Sequence, residues 1–376
     1  MSPPPYRSYV LVSLDRIRRN YRNVREAVGP DIEVMAVVKA DAYGHGALAV
    51  SRALLEEGAK WLAVSSVDEG VALREAGIDA RILVMAGFLP HEREAVVEHD
   101  VTPTAHSLED IAELDRMAAR AGRTLAFHLK IDSGMGRLGT RAEPGQIVAA
   151  LAALRHARLE GLMTHFASAA DFNSPQTGRQ LARFQECLAA VRQAGIAVDY
   201  VHTSSTNAIG YARRDAWYNM VRAGHALYGY VSPVRGAGPG QILDVQPALT
   251  WKARILAIKD IPEGALVGYG GTFRAPAPMR IAILGAGYAD GVFHRLSNRG
   301  TVIAAGQIVP IVGTISMDLT TIDVTRIPDL KPGDDVTLLG AEGDARLDAQ
   351  QIARTAGTIS YNILSSISAR VRRVYV

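Results

Sequence analysis

Lys39 closes an apolar run, Met35-Ala36-Val37-Val38, and is followed by Ala40-Asp41-Ala42-Tyr43-Gly44-His45-Gly46. An ammonium in that company is costly to bury unless it is paired or neutralised. Desolvation lowers a lysine pKa, and a neutral amine is what Schiff-base chemistry requires. A lysine that snorkels to a rim is the plain alternative. Arg137 stands in Asp132-Ser133-Gly134-Met135-Gly136-Arg137-Leu138-Gly139. Glycines there let the backbone approach a ligand, and a guanidinium fork suits a carboxylate, although a structural loop arginine fits the same residues. His165, in Met163-Thr164-His165-Phe166, reads either as a packed core histidine or as a proton-handling group. Two further segments, His202-Thr203-Ser204-Ser205-Thr206-Asn207 and Val221-Arg222-Ala223-Gly224-His225, offer hydroxyls and backbone amides to a phosphate. Helix capping is the competing use of residues 204–206.

Other chemistries find no support in the spacing. Ile283-Leu284-Gly285-Ala286-Gly287-Tyr288-Ala289-Asp290-Gly291 imitates a dinucleotide fingerprint, but no apolar-periodic helix follows it, and that fingerprint needs strand, turn and helix together. The histidines are scattered, with no metal-ligand spacing, and neither a nucleophile elbow nor a P-loop lysine occurs. Cys187 is the single cysteine, which excludes an intramolecular disulfide and a thiolate metal cluster.

These residues fall at the ends of predicted strands. Short apolar, β-branched runs at 33–39, 61–66, 81–86, 100–104, 124–131, 158–165, 199–204 and 217–223 alternate with helical patterns at 47–57, 68–76, 109–121 and 180–194. Such alternation predicts parallel βαβ units, and eight of them fit a closed (β/α)8 barrel, with an open doubly wound sheet as the alternative. In such barrels the active site lies at the carboxyl ends of the strands, often with a phosphate bound after strands seven and eight. An earlier strand, 8–14, stands outside the eight. After Tyr230 the glycine-rich stretch 236–240 reads as a linker, and short strands follow at 249–258, 279–284, 300–304, 308–312, 319–324 and 335–339. The expectation is therefore α/β: an N-terminal TIM-type barrel over residues 1–235 and a mainly-β C-terminal domain over 236–376, with the first strand free to join the latter.

The bulk numbers agree with a folded two-domain protein. A chain of 376 residues exceeds the ~250–300 at which one core usually stops growing. A balance of 41 Lys+Arg against 38 Asp+Glu is too mild for a nucleic-acid binder. The arginines of 16–22 read as a solvated helix face, and those of 370–373 form too short a cluster to interpret. Residues 1–5 lack the basic and apolar stretches of a leader, and no apolar run reaches the ~20 residues of a membrane span, so a cytoplasmic setting is expected.

Read as ordered segments, the chain resembles the alanine racemases, a family of fold-type III pyridoxal-phosphate enzymes. The resemblance runs through residues 36–46 (AVVKADAYGHG), 128–139 (HLKIDSGMGRLG), 164–166, 221–229, 267–272 (VGYGGT), 287–291 (GYADG) and 313–318 (GTISMD). It implies that Lys39 holds pyridoxal 5'-phosphate and acts as one of two catalytic bases, with Tyr269 the other, contributed across a homodimer interface. It further implies that Tyr43 and His165 pack about the cofactor, that Ser204, Gly224 and Tyr361 bind its phosphate, and that Arg222 faces its pyridine nitrogen. Arg137 would orient Tyr269 and the substrate carboxylate. Met317 and Asp318 would close the substrate pocket from the partner, and Lys130 matches a position that carries a carbamate in many relatives. Phe273 and Ser360-Tyr361-Asn362 depart from the commonest family pattern without removing a proposed catalytic side chain. Two acid–base groups on opposite faces allow racemisation without turning the substrate, and an arginine at the pyridine nitrogen disfavours a second positive charge there. The implied role is D-alanine supply for peptidoglycan. Rival readings are a serine or broad-spectrum amino-acid racemase, a pyridoxal-phosphate decarboxylase and a non-catalytic pyridoxal-phosphate carrier.

Overall fold

Strands that alternate with helices have to pair in parallel, because each crossover returns the chain to the same edge. The computed structural model describes residues 5–376, and the first four residues, on which most of the leader argument rests, lie outside the described residues. After β1 (Ser8–Val12) come β2 (Glu33–Val37), β3 (Trp61–Val64), β4 (Arg81–Val84), β5 (Thr102–Ala105), β6 (Leu125–Lys130), β7 (Ala157–Met163), β8 (Tyr200–His202) and β9 (Met220–Ala223). Strands β2 to β9 form one parallel sheet in the order β8-β7-β6-β5-β4-β3-β2-β9. The last strand thus pairs with the first, from Glu33↔Met220 to Ala36↔Ala223. At the carboxyl ends the Arg222 N–H donates to the Ser204 carbonyl at 2.9 Å, tying β9 to the end of β8. The sheet is the expected barrel and not an open doubly wound one.

Helix starts follow local chemistry. Ser107 caps Leu108–Ala121 reciprocally with Asp110, and Gly122, in the left-handed conformation, ends it. The helix expected at 180–194 begins earlier, as Gln176–Gln193, because Pro175 opens it with its φ already preset. Arginines of the 16–22 stretch pair across the surface, Arg18 with Glu56 and Arg22 with Glu57. Between Phe127↔Leu159 and His128↔Gly161 the β6–β7 ladder shifts, and Glu160 is the extra residue of the bulge.

The chain divides into two units. One comprises Arg16–Ala42 and Ala47–Gln246; the other comprises residues 5–15, Tyr43–Gly46 and Pro247–Val376. In the second unit lie β10 (Leu249–Ile261), β11 (Leu266–Val267), β12 (Phe273–Arg274), β13 (Met279–Leu284), β14 (Thr301–Ala304), β15 (Gln307–Pro310), β16 (Thr320–Asp323), β17 (Asp335–Glu342), β18 (Ala345–Leu347) and β19 (Arg372–Tyr375). Its main path runs β15-β14-β17-β10-β1-β19. Strand β1 lies antiparallel to β10 and parallel to β19, which is where the strand outside the barrel count finds its partners. After β13 the chain makes the short 3-10 turn Tyr288–Asp290, not the helix a dinucleotide site requires. Among the described residues no helix is long and apolar enough to cross a membrane.

Candidate active site

The chain leaves β2 by an unusual route. The Val38 N–H donates to the Ala63 carbonyl at 2.9 Å, the last barrel contact before Lys39. Ala40, Asp41, Ala42 and Tyr43 then take φ values of 51°, 52°, 53° and 54°. Four successive non-glycine residues in the left-handed region cost about 1–2 kcal/mol each, so neighbours must hold them there. Glu69 does so with both oxygens: Oε1 accepts from the Ala40 N–H at 2.6 Å and Oε2 from the Ser65 N–H at 2.7 Å. The Asp41 carboxylate accepts from the Ala47 N–H at 2.7 Å.

Lys39 is half-buried at this corner. Burial, and then the Arg137 guanidinium, push its pKa down, while Glu69 pulls the other way. The amine is biased toward the neutral form that Schiff-base chemistry needs. Lys130, at the end of β6 and buried, is lowered further, to about 8, by desolvation and then by Arg137 and Arg222. His165 is driven below its ordinary value by burial and by the charges of Arg222, Lys130, Arg137 and Lys39. Thus Lys39, Lys130, Arg137, His165 and Arg222 share one electrostatic neighbourhood. The guanidinium charges of Arg137 and Arg222 there are suited to an anion.

Arg222 is 2% exposed, and burial lowers its pKa to about 10. Its Nη1 donates to the His202 carbonyl at 2.8 Å and to His202 Nδ1 at 2.9 Å. Its Nη2 donates to the carbonyls of Thr164 (2.8 Å) and Thr203 (3.1 Å) and to His165 Nδ1 (3.2 Å). Every acceptor is neutral, so the cation is fixed in orientation without a carboxylate in direct contact. The Arg137 loop is shaped by Asp132, whose Oδ1 accepts from the N–H groups of Gly134, Met135 and Gly136 at 2.9–3.2 Å. Arg137 itself is exposed.

At the hydroxyl-rich turn, capping does not account for Ser204. Ser205 is the cap residue of helix Thr206–Gly210 and makes no side-chain cap bond, while the Ser204 hydroxyl donates to the Ala216 carbonyl at 2.7 Å. Thr206 Oγ1 accepts from the N–H groups of Gly224 and Ala226, both at 3.2 Å, and so joins the ends of β8 and β9.

In the second unit, the Tyr43 and Tyr361 rings lie 6.1 Å apart. Burial and the neighbouring Tyr361 hold the Tyr43 hydroxyl above its ordinary pKa. Tyr269 is 75% exposed on a 3-10 turn, Tyr269–Gly271, and its carbonyl accepts from the Thr314 hydroxyl at 3.0 Å. Met317 is 53% exposed, and its carbonyl accepts from the Ala289 N–H at 2.9 Å. A Cβ on Gly287 would stand 2.4 Å from the Met317 carbonyl oxygen, so the GYADG and GTISMD segments can meet only with glycine there. Asp318 forms an ion pair with Arg370 at 2.7 Å, which gives the 370–373 cluster one definite task.

The sequence reading passed over Glu69, Asp132, Thr206 and His202, all of which act on a residue it had chosen. It also passed over His106, whose pKa burial and the charge of Lys130 lower to about 4. His202 shared a segment with Ser204 and could have been picked out by its place at the end of a barrel strand.

A closed parallel barrel with a desolvated lysine among cations at its strand ends, joined in sequence to a β unit, defines a two-unit barrel enzyme equipped for carbonyl chemistry. The models of the alanine racemase N-terminal and C-terminal domains match residues 12–233 and 248–375. The alanine racemase of Carboxydothermus hydrogenoformans is 40% identical over 97% of this chain and 98% of its own length; that of Synechocystis is 40% identical over 98% and 99%. Two solved structures superpose closely. Alanine racemase from Bacillus anthracis with bound L-Ala-P has a TM-score of 0.90 at 34% identity, covering 100% of this chain and 96% of that one. The enzyme from Bartonella henselae with covalently bound pyridoxal phosphate has a TM-score of 0.88 at 29% identity, covering 99% and 100%. The chain belongs to the alanine racemase family.

Proposed function

We propose that this chain interconverts L- and D-alanine by a two-base mechanism, with pyridoxal phosphate held on Lys39. The observation that carries the reading is the Lys39 amine, desolvated and surrounded by Arg137, Arg222 and Lys130 at the barrel's strand ends. The donor set fits the cofactor: a neutral-leaning amine for its aldehyde, a cationic surround for its phosphate and a fixed guanidinium for its ring. When bound, the cofactor supplies electron withdrawal that makes the substrate's α-proton acidic.

The protein's residues then orient and move protons. Ser204, Gly224 and Tyr361 would hold the cofactor's phosphate, and Tyr43 and His165 would pack about the cofactor itself. Arg222, held by five hydrogen bonds, would face the pyridine nitrogen of the bound cofactor and, as a protonated guanidinium, would disfavour a proton there. That limits side reactions such as transamination. Lys39 Nζ takes or returns the α-proton on one face, and the Tyr269 hydroxyl of the partner subunit does so on the other. Arg137 orients Tyr269 and the substrate carboxylate, while Met317 and Asp318, also from the partner subunit, close the pocket. The active species is accordingly a homodimer. Its product serves peptidoglycan synthesis, and Lys130, whose lowered pKa favours a neutral amine, is the position open to carbamylation.

Proton NMR of alanine incubated in D2O tests the two-base assignment. The wild type should exchange the α-proton of both enantiomers and interconvert them. Tyr269→Phe should keep exchange on one enantiomer only and lose interconversion. Equal loss of exchange from both enantiomers contradicts the assignment.

A further inference from the structure

Arg222 does not end its hydrogen-bonding at His202. The other nitrogen of that ring, Nε2, lies 2.8 Å from Nδ1 of His128, in the middle of β6. His128 Nε2 in turn faces the Glu160 carboxylate, with Oε2 at 3.6 Å and no hydrogen-bond acceptor nearer. The same Oε2 pairs with Arg81 at 2.6 Å, and Oε1 pairs with Arg158 at 3.3 Å. His128 and His202 are fully buried and Glu160 is 2% exposed. Barrel interiors are ordinarily filled with branched apolar side chains, so a line of three buried polar groups needs a reason.

The polarity of the line is fixed by its first member. A guanidinium can only donate, so His202 Nδ1 must accept. A neutral His202 then carries its proton on Nε2 and donates it to His128 Nδ1. His128, accepting there, carries its own proton on Nε2, directed at Glu160. Burial favours the neutral form of both rings, which is the form this pattern requires. The backbone is built to allow the line. Glu160 is the extra residue of the β7 bulge, a device that re-aims a side chain. The next residue is Gly161, where a Cβ would lie 2.5 Å from His128 Nδ1, so the imidazole occupies space that any other residue would fill.

We propose that Glu160 and His128 are positioning residues that act on Arg222 through His202, supplying the anionic end of a one-way chain to a guanidinium that touches no carboxylate. The chain keeps both imidazoles in the Nε2–H tautomer and holds Arg222 charged and aligned. This rests on the reading of Arg222 as the group facing the cofactor ring.

The test uses the holoenzyme labelled with 15N-histidine. Long-range proton–nitrogen NMR reads the tautomer of each ring, and the ratio of transamination to racemisation of alanine is measured beside it. In the wild type, His128 and His202 should both be neutral with the proton on Nε2 from about pH 6 to 9. Glu160→Gln should move the nitrogen shifts of both rings and raise the transamination ratio about threefold to tenfold. His128→Gln, whose amide can accept from His202 and donate to Glu160, should keep the ratio of the wild type, whereas His128→Phe should raise it. This second pair decides the matter if Glu160→Gln does not fold. A His202 ring protonated on Nδ1, or a ratio equal in His128→Gln and His128→Phe, overturns the proposal. Absence of racemisation in the wild type would instead defeat the functional reading, while the tautomers still judge the chain.

Discussion

Removing the Glu69 side chain should loosen the left-handed turn that follows Lys39. In Glu69→Ala the N–H groups of Ala40 and Ser65 lose acceptors at 2.6 and 2.7 Å. Hydrogen bonds to a charged group contribute about 1.5–3 kcal/mol each, giving an upper bound of about 3–6 kcal/mol. Ala40 is exposed, so water replaces part of its loss, and about 2–4 kcal/mol is the expected cost. At about 2–4 °C per kcal/mol for a unit of this size, the melting temperature should fall by about 4–16 °C. The four left-handed residues hold about 4–8 kcal/mol of backbone strain, which makes a second variant informative. Ala40→Gly removes about 1–2 kcal/mol of that strain against about 0.5–1 kcal/mol of added chain entropy. In the Glu69→Ala background it should therefore restore stability, although the same change costs stability in an ordinary helix. Glu69 also raises the Lys39 pKa, so its removal should shift reductive trapping of pyridoxal phosphate on Lys39 toward lower pH. The reasoning fails if Glu69→Ala melts within a degree of the wild type, or if Ala40→Gly destabilises that variant further.

Lys130, lowered to about 8, should be half neutral near pH 8, where an ordinary lysine is almost wholly charged. With 13C-bicarbonate, a carbamate signal lost in Lys130→Met should grow as the pH rises through 8, and no signal at pH 9 would count against it. His128, His165 and His202 are held below 6.5 by burial. Below that value the unfolded chain binds more protons than the folded one. Their contribution to stability is thus complete above pH 6.5 and falls as the pH drops toward their folded values. Denaturant titrations should show stability decreasing below pH 6.5, and a flat profile down to pH 5 would contradict their neutral burial. Gly287→Ala, which brings a Cβ to 2.4 Å from the Met317 carbonyl oxygen, should cost about 1–3 kcal/mol by thermal melting.

The barrel was legible because its signal is local: eight short β-branched runs, interspersed with helical periods, admit few arrangements. Boundaries were less so. The run 33–39 ends as a strand at Val37 because the strain-holding contacts of the next turn come from Glu69, distant in sequence. Helix Gln176–Gln193 started early because a proline that looks like loop punctuation also opens helices. Within the site, Lys39, Arg137 and His165 could be chosen from residue type and strand-end position, and Arg222 only through the family resemblance. Asp132, Thr206, Glu160 and His128 could not, since their effect depends on which hydrogen bonds the fold closes. The bulge that turns Glu160 toward His128 has no sequence signature beyond the glycine that follows it.

The central claim, that Lys39 holds the cofactor with which this chain racemises alanine, meets its most direct test in one paired measurement. The purified protein, reconstituted with pyridoxal phosphate, is examined for its visible absorbance band and for D-alanine formed from L-alanine, beside Lys39→Ala. The account predicts both signals in the wild type and neither in the variant. A band without alanine turnover would move the substrate to serine or another amino acid, and no band after reconstitution would contradict the assignment of Lys39 itself.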